Sequence, residues 1–339
     1  MARDPPARPG TAGFRPSPPR PSAPVPPLAQ FCKAGGGSSS VLAREDFSTA
    51  AHGSLEEVVG KFIGAYPGVK LAAACFAVAG PVVDGTATMT NVAQWKDVTI
   101  GEVQKVLANS GHSAPVGLLN DFEAVGYGIP CVADSDLLAV HDVPRTDKGP
   151  IVVIGPGTGL GACQLFWNEA AGGYKVYPGE GTHSDFAPRG DKQKGLLDFV
   201  EAELGYCEIE HVGCGAGLER IYRFLGGGAA SAKDISAQCA AGDPRATEAM
   251  DTMLAIVGQE AGHMAIRCLA SGGVYVAGGI VPKNRARVEG GGGTLLEGFL
   301  NPRSRLHALH ERYALSVVLD ESVGLLGAED FAKRLAAGQ

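Results

Sequence analysis

The chain has 339 residues, 45% of them hydrophobic and 19% charged, with a net charge of −7. That length suggests two domains of ordinary globular composition. The acidic balance argues against a nucleic-acid or anionic-membrane partner, and the sequence has no apolar run of about 18 residues to cross a bilayer.

Residues 1–40 differ from the rest. Seven prolines stand between Pro16 and Pro27, and Gly35 to Gly37 lead into Ser38 to Ser40. Such a stretch buries too little apolar surface to offset its chain entropy, so disorder is expected across residues 1–40. Arg and Ser with Asp4 as the only acid fit an organelle transit peptide; a misassigned gene start fits equally.

From Val41 the pattern becomes α/β. Ser54-Leu55-Glu56-Glu57 is a capping box, and Leu55, Val58, Val59, Phe62, Ile63 and Tyr66 form the apolar stripe of the helix behind it. The run 71–80 reads as a buried strand, 86–90 as a second, 103–108 as a helix and 115–119 as a short strand. A further strand at 151–154 runs into a glycine turn. Asp243-Pro244 opens a long helix that Gly272-Gly273 should stop, followed by strands at 274–277 and 315–319 and a closing helix from Val323. Alternating strands and helices imply a mixed α/β architecture with sheets covered on both faces.

The eight cysteines include no Cys-x-x-Cys pair, so they read as reduced thiols. Cys207, His211 and Cys214 lie near one another without a fourth ligand, and no metal site is expected there.

Four segments have chemical potential. Gly155-Pro156-Gly157-Thr158-Gly159 follows a buried strand and reads either as a phosphate cradle or as a plain glycine hairpin. It has no Gly-Lys-Ser/Thr ending and is not a Walker loop. Asn120-Asp121 follows another strand; Asp121 is either a helix cap or a general base facing a cleft. Glu180, His183 and Asp185 lie in a glycine-broken loop, suited to a polyhydroxyl ligand or to a solvated acidic turn. Gly278-Gly279 either admit a flat nucleoside or mark tight packing. Glu210 precedes a glycine-rich turn, and Asn91 reads most simply as a turn residue.

Together these segments resemble the bacterial-type glucokinases of the actin–hexokinase ATPase superfamily. The resemblance covers nearly all of residues 41–339 and rests on AVAGPVVDGTATMTN (77–91), LLNDFEAVGYGIP (118–130), VIGPGTGLG (153–161), PGEGTHSDFAPRG (178–190), GCGAGLERIYRFL (213–225), GGVYVAGGIVPK (272–283) and ESVGLLGAE (321–329). It implies a two-domain actin-like ATPase (ribonuclease H-like) fold with a central cleft. The small domain would be 41–130 with 319–339, and the large domain 131–318. It further implies that Asp121 is the catalytic base, that Asn91, Asn120, Glu180, His183 and Glu210 contact glucose, that Gly157, Thr158 and Gly159 hold phosphate, and that Gly278 and Gly279 hold adenosine. ATP and Mg²⁺ are the implied cofactors, a homodimer the implied assembly, and the cytoplasm the expected location, with a plastid as the alternative.

Two departures stand out. Family members open with a β-hairpin carrying an Asp-x-Gly-Gly-Thr phosphate loop, and nothing in residues 1–40 matches it. A misassigned start is the favoured explanation, and a sugar-binding pseudokinase the alternative. Thr182 stands where many relatives have glycine, which is tolerable if its φ is negative. The related repressor/ORF/kinase family has a Cys-x-Cys-Gly-x-x-Gly-Cys-x-Glu zinc motif that this sequence lacks.

Overall fold

The structure is a computed structural model and describes residues 28–33, 40–89, 95, 97–291 and 293–338. The first element corrects the expectation of disorder across residues 1–40. β1 (Leu28–Lys33) pairs antiparallel with β2 (Ser40–Asp46), with a register shift between Phe31 and Cys32. The proline run ends at Pro27, so the residues after it retain the backbone donors that a ladder needs.

The capping box at Ser54 opens α1 (Leu55–Ala65), and the Ser54 hydroxyl accepts from Glu57 N at 3.2 Å. The Glu57 carboxylate accepts from Gly53 N at 2.8 Å, one residue earlier than a standard box places it. Then come β3 (Ala74–Val78), β4 (Val82–Val83), β5 (Thr86–Ala87), β6 (Val98–Thr99), α2 (Ile100–Asn109) and β7 (Val116–Asn120). The strand expected at 86–90 is confined to Thr86–Ala87, and Thr90 lies outside the described residues. β3 and β7 run parallel, with Val78 opposite Asn120, so both strands deliver their C-termini to one edge. The stripe of α1 packs there with Val103 and Leu107 of α2 and with Leu118.

After α3 (Asp121–Gly128) the chain builds the larger sheet from β8 (Leu137–His141), β9 (Ile151–Pro156), β10 (Leu160–Asn168) and β11 (Gly173–Gly179). Five helices follow: α4 (Gly190–Leu204), α5 (Glu210–Gly213), α6 (Gly215–Phe224), α7 (Ala232–Ala240) and α8 (Pro244–Cys268). β12 (Gly273–Val276), α9 (Ile280–Lys283), α10 (Gly293–Leu300), α11 (His307–His310), β13 (Leu315–Val318) and α12 (Val323–Ala336) complete the chain. The sheet order is β11-β10-β9-β12-β13-β8. β9, β12 and β13 are mutually parallel, and every residue of these three strands is buried, as strands covered on both faces require. Gly272-Gly273 do not stop α8. Leu269 does, in the left-handed conformation (φ 55°), with its N–H on Ala265 O.

One face of the sheet is covered by α8, whose Met250, Met253, Leu254 and Val257 are fully buried among Val152, Ile154 and Val274. Burial of each such aliphatic side chain is worth about 1.5–3 kcal/mol. On the other face, Ala124 and Tyr127 of α3 and Val323 of α12 join Val153, Leu165 and Val318 in one cluster. α3 and α12 meet backbone to backbone. A Cβ on Gly128 would collide with Val323 O, and one on Gly327 with Ala124 O. Among the described residues no helix is long and apolar enough to cross a membrane.

Candidate active site

The parallel strands end together at Pro156, Val276 and Val318, and ligand sites in α/β sheets gather at such edges. Asp121 arrives from the smaller parallel pair, as the first residue of α3. Asn120 caps that helix. Its Oδ1 accepts from Phe122 N (2.9 Å) and Glu123 N (3.2 Å), and its Nδ2 donates to Gly80 O at 3.0 Å. The Asn120 side chain also hydrogen-bonds the Asp121 carboxyl.

Phe122 fixes the helix start against the glycine hairpin. Gly155 and Gly161 face each other across β9 and β10, and a Cβ on Gly161 would overlap the Phe122 ring. On Gly155 it would lie 2.5 Å from Phe122 Cε2. These two glycines therefore admit an aromatic ring, whereas Gly157 and Gly159 form the turn. The segment is a hairpin, and its tip is open on the Gly157 side. A Cβ on Gly157 would meet nothing closer than 3.9 Å, and Thr158 is exposed. Gly157 N donates to Gly159 O at 2.8 Å, and Gly157 O accepts from Gly215 N, at the start of α6, at 2.9 Å.

The second glycine pair adjoins the first. Gly278 has φ +91°, and a Cβ there would stand 2.8 Å from Pro156 O. Gly279 lies beside Lys283, which pairs with Glu321 at 3.2 Å. The two turns thus lie side by side, in contact through Gly278 and Pro156.

The residues expected to contact the sugar converge on the same edge. Register pairs Ala162 with Gly179, which carries the chain into Glu180 beside the hairpin. A 3₁₀ turn at Gly181–His183 follows. Thr182 is 2% exposed, does not adopt the left-handed conformation, and donates to Leu160 O at 2.6 Å. Glu210 Oε2 accepts from Leu160 N at 2.8 Å. Both polar groups of the buried Leu160 backbone are thus held by side chains from the sugar-side segments.

Asp121 is open to solvent on one side, while protein fills most of the space around its carboxyl. Burial raises its pKa, the N–H of Phe122 at 2.9 Å opposes the shift, and the charge of Glu180 pushes it further up. His183 is raised as well, first by its 2.9 Å hydrogen bond to Glu208 and then, against a burial term, by the charges of Glu210, Glu208 and Glu180. The structure therefore brings together Asp121, Asn120, Glu180, His183 and Glu210. Asn91 lies outside the described residues. The Cys207, His211 and Cys214 group packs as core: burial pushes the thiols up to about 12 and about 11, and Cys214 donates to Glu210 O at 3.0 Å.

The glucokinase family model matches residues 28–335. This chain belongs to the glucokinase family. A glucokinase of Synechocystis sp. is 36% identical over 289 residues, spanning 77% of this chain and 79% of that one. Among solved structures, a glucokinase from an Antarctic psychrotroph superposes with a TM-score of 0.77 at 24% identity, covering 90% of this chain and 95% of that one. A ROK-family glucokinase from Streptomyces griseus, in complex with glucose and AMPPNP, gives 0.58 at 19% identity over 91% and 99% of the two chains. The fold is the actin-like ATPase fold of these sugar kinases.

Sequence reasoning missed three participants. Phe122 lay inside a quoted motif without a role. Leu160 acts through its backbone, which leaves no trace in residue type. Glu208 was signalled only by the alternation of two acids about Ile209, which is itself 5% exposed.

Proposed function

We propose that the chain transfers the γ-phosphoryl group of ATP to the 6-hydroxyl of glucose, giving glucose 6-phosphate and ADP. The observation that supports this most is the convergence of an acid of raised pKa, Asp121, with Glu180, His183 and Glu210 beside two open glycine turns at one sheet edge.

In this reading Asp121 accepts the proton of the 6-hydroxyl as that oxygen attacks phosphorus and the bond to the β-phosphate oxygen breaks. A raised pKa makes its carboxylate a stronger base than an ordinary aspartate. Glu180 and Glu210 accept from sugar hydroxyls and His183 Nε2 faces the sugar; Asn120 and Asn91 are assigned further contacts on the resemblance alone. Thr158 and Gly159 offer backbone N–H and hydroxyl donors to phosphate, Gly157 lets the phosphate approach the turn closely, and Gly278 with Gly279 give the adenosine a side-chain-free surface. Mg²⁺ bound to the nucleotide phosphates would supply charge neutralisation. The protein's part is positioning and charge stabilisation. Separate apolar cores around α1 and α8 fit two domains, and the resemblance sets their bounds at 41–130 with 319–339 and 131–318, with α3 and α12 packed between them on the larger sheet; closure of the two would exclude water. A homodimer in the cytoplasm is the family expectation.

The test is a coupled assay of the purified chain with ATP, Mg²⁺ and glucose, repeated with mannose, galactose and N-acetylglucosamine. Preferential formation of glucose 6-phosphate supports the reading. Glucose binding without turnover would instead favour a sugar-binding pseudokinase.

A further inference from the structure

Glu208 occupies a position that the proposed reaction does not use. Its backbone is fixed: residues 184–186 and 207–209 are stitched by an antiparallel bridge between Asp185 and Glu208, with Phe186 N on Cys207 O at 2.9 Å and Ile209 N on Ser184 O at 3.0 Å. Its side chain is 19% exposed, and Oε2 lies 2.9 Å from His183 Nδ1. The same oxygen is 3.8 Å from His211 Nε2, while His211 Nδ1 accepts from Glu208 N at 3.2 Å.

A carboxylate only accepts, so His183 Nδ1 must hold the proton between them. The other ring nitrogen, Nε2, is then turned to Glu180, 3.7 Å away, on the side where the sugar is placed. His211 is bound in the opposite sense. With Nδ1 accepting a backbone N–H, its own proton sits on Nε2, 3.8 Å from Glu208 Oε2 and beyond hydrogen-bond reach.

We propose that Glu208 is a positioning residue for glucose recognition: it fixes the ring plane and tautomer of His183 so that Nε2 is presented to a sugar hydroxyl. This rests on the reading of His183 as a sugar contact. Three acids face that ring, Glu180 from the end of β11, Glu208 from the bridge and Glu210 from α5. The other charged or titratable neighbours are His211 and, beyond it, Arg220 of α6, which donates to His211 O at 3.1 Å. The acids raise the pKa of His183, with the Glu208 bond the largest cause, whereas burial and then Arg220 lower that of His211. Glu208 therefore keeps His183 a hydrogen-bond donor at Nε2 to a higher pH than an ordinary histidine. Second-sphere carboxylates orient metal-bound histidines by the same means.

The experiment measures glucose dissociation constants by calorimetry from pH 5.5 to 8.5 for the full chain and for Glu208→Gln, Glu208→Ala and His183→Gln. ¹⁵N spectra of the histidine rings accompany it, with the His183 signals assigned by their loss in His183→Gln. The wild type is expected to show His183 protonated at Nδ1 above its pKa. Glu208→Gln retains an acceptor and lacks the charge, so the inflection in glucose affinity and the His183 ring pKa both move to lower pH. Glu208→Ala lacks both and should weaken glucose binding about tenfold or more, the scale of a lost hydrogen bond to a charged group. If His183→Gln weakens glucose binding while both Glu208 variants, folded, leave affinity and its pH profile unchanged, the positioning role is wrong. A neutral His183, above its pKa, that holds its proton on Nε2 instead of Nδ1 in the wild type overturns it without any Glu208 variant. If His183→Gln itself leaves glucose affinity unchanged, the sugar-contact reading fails instead.

Discussion

Glu210 holds Leu160: its Oε2 accepts the Leu160 N–H at 2.8 Å, so an acid assigned to the sugar also secures the turn assigned to phosphate. Gly159 makes room for this, since a Cβ there would lie 2.7 Å from the same oxygen. Glu210→Ala leaves a buried N–H unpaired, which costs about 1–3 kcal/mol. Glu210→Gln retains an acceptor and should unfold near the wild-type temperature while binding glucose more weakly. Thermal denaturation and glucose calorimetry on both variants separate the two roles.

The Phe122 ring packed on Gly155 and Gly161 ties the Asp121 helix to the hairpin. Gly161→Ala is expected to destabilise the protein by about 1–3 kcal/mol through overpacking and to lower kcat by moving Asp121. Phe122→Ala removes the wedge and should lower kcat with a smaller change in glucose affinity. Denaturant unfolding and steady-state kinetics check both.

Thr182→Val replaces a buried hydroxyl by a methyl of similar size. It leaves Leu160 O without the 2.6 Å donor and should cost about 1 kcal/mol or somewhat more. An unchanged unfolding midpoint in denaturant would show that the Thr182 bond adds nothing.

His183 supplies a pH dependence of stability. Its folded pKa is raised, so the stabilisation from its acidic partners is fully present below the unfolded value near 6.5 and is lost as pH rises through the folded pKa. His211 and His310 are lowered, mainly by burial, and act in the opposite sense. The difference between wild type and His183→Gln isolates the first term. Relative to the variant, the wild-type melting temperature should decline as pH rises above about 6.5.

Much of the fold was legible because it is local. The Ser54 cap, the stripe of α1, the all-apolar β9 and the Asp243-Pro244 start of α8 each signal their element within a few residues. The strands from Leu137 to His141 and from Gly173 to Gly179 were not read, because their pairing is set by distant partners such as Leu315 and Ala162. The disorder expected for Leu28–Lys33 came from averaging composition across a proline run that ends one residue earlier. At the site, the titratable residues could be named from motif order, and their supports could not. The Phe122 wedge, the Leu160 backbone and the Glu208 carboxylate exist only once segments far apart in sequence are in contact.

The most direct test compares wild type with Asp121→Asn for glucose 6-phosphate formation and for glucose binding across pH. The account predicts that the variant binds glucose at near wild-type affinity and loses turnover by about 10²–10⁴-fold, the usual share of a general base. It also predicts that the acidic limb of wild-type kcat/KM lies above the ordinary aspartate value near 4. Undiminished turnover in a folded Asp121→Asn protein would contradict the assignment of Asp121 as the base.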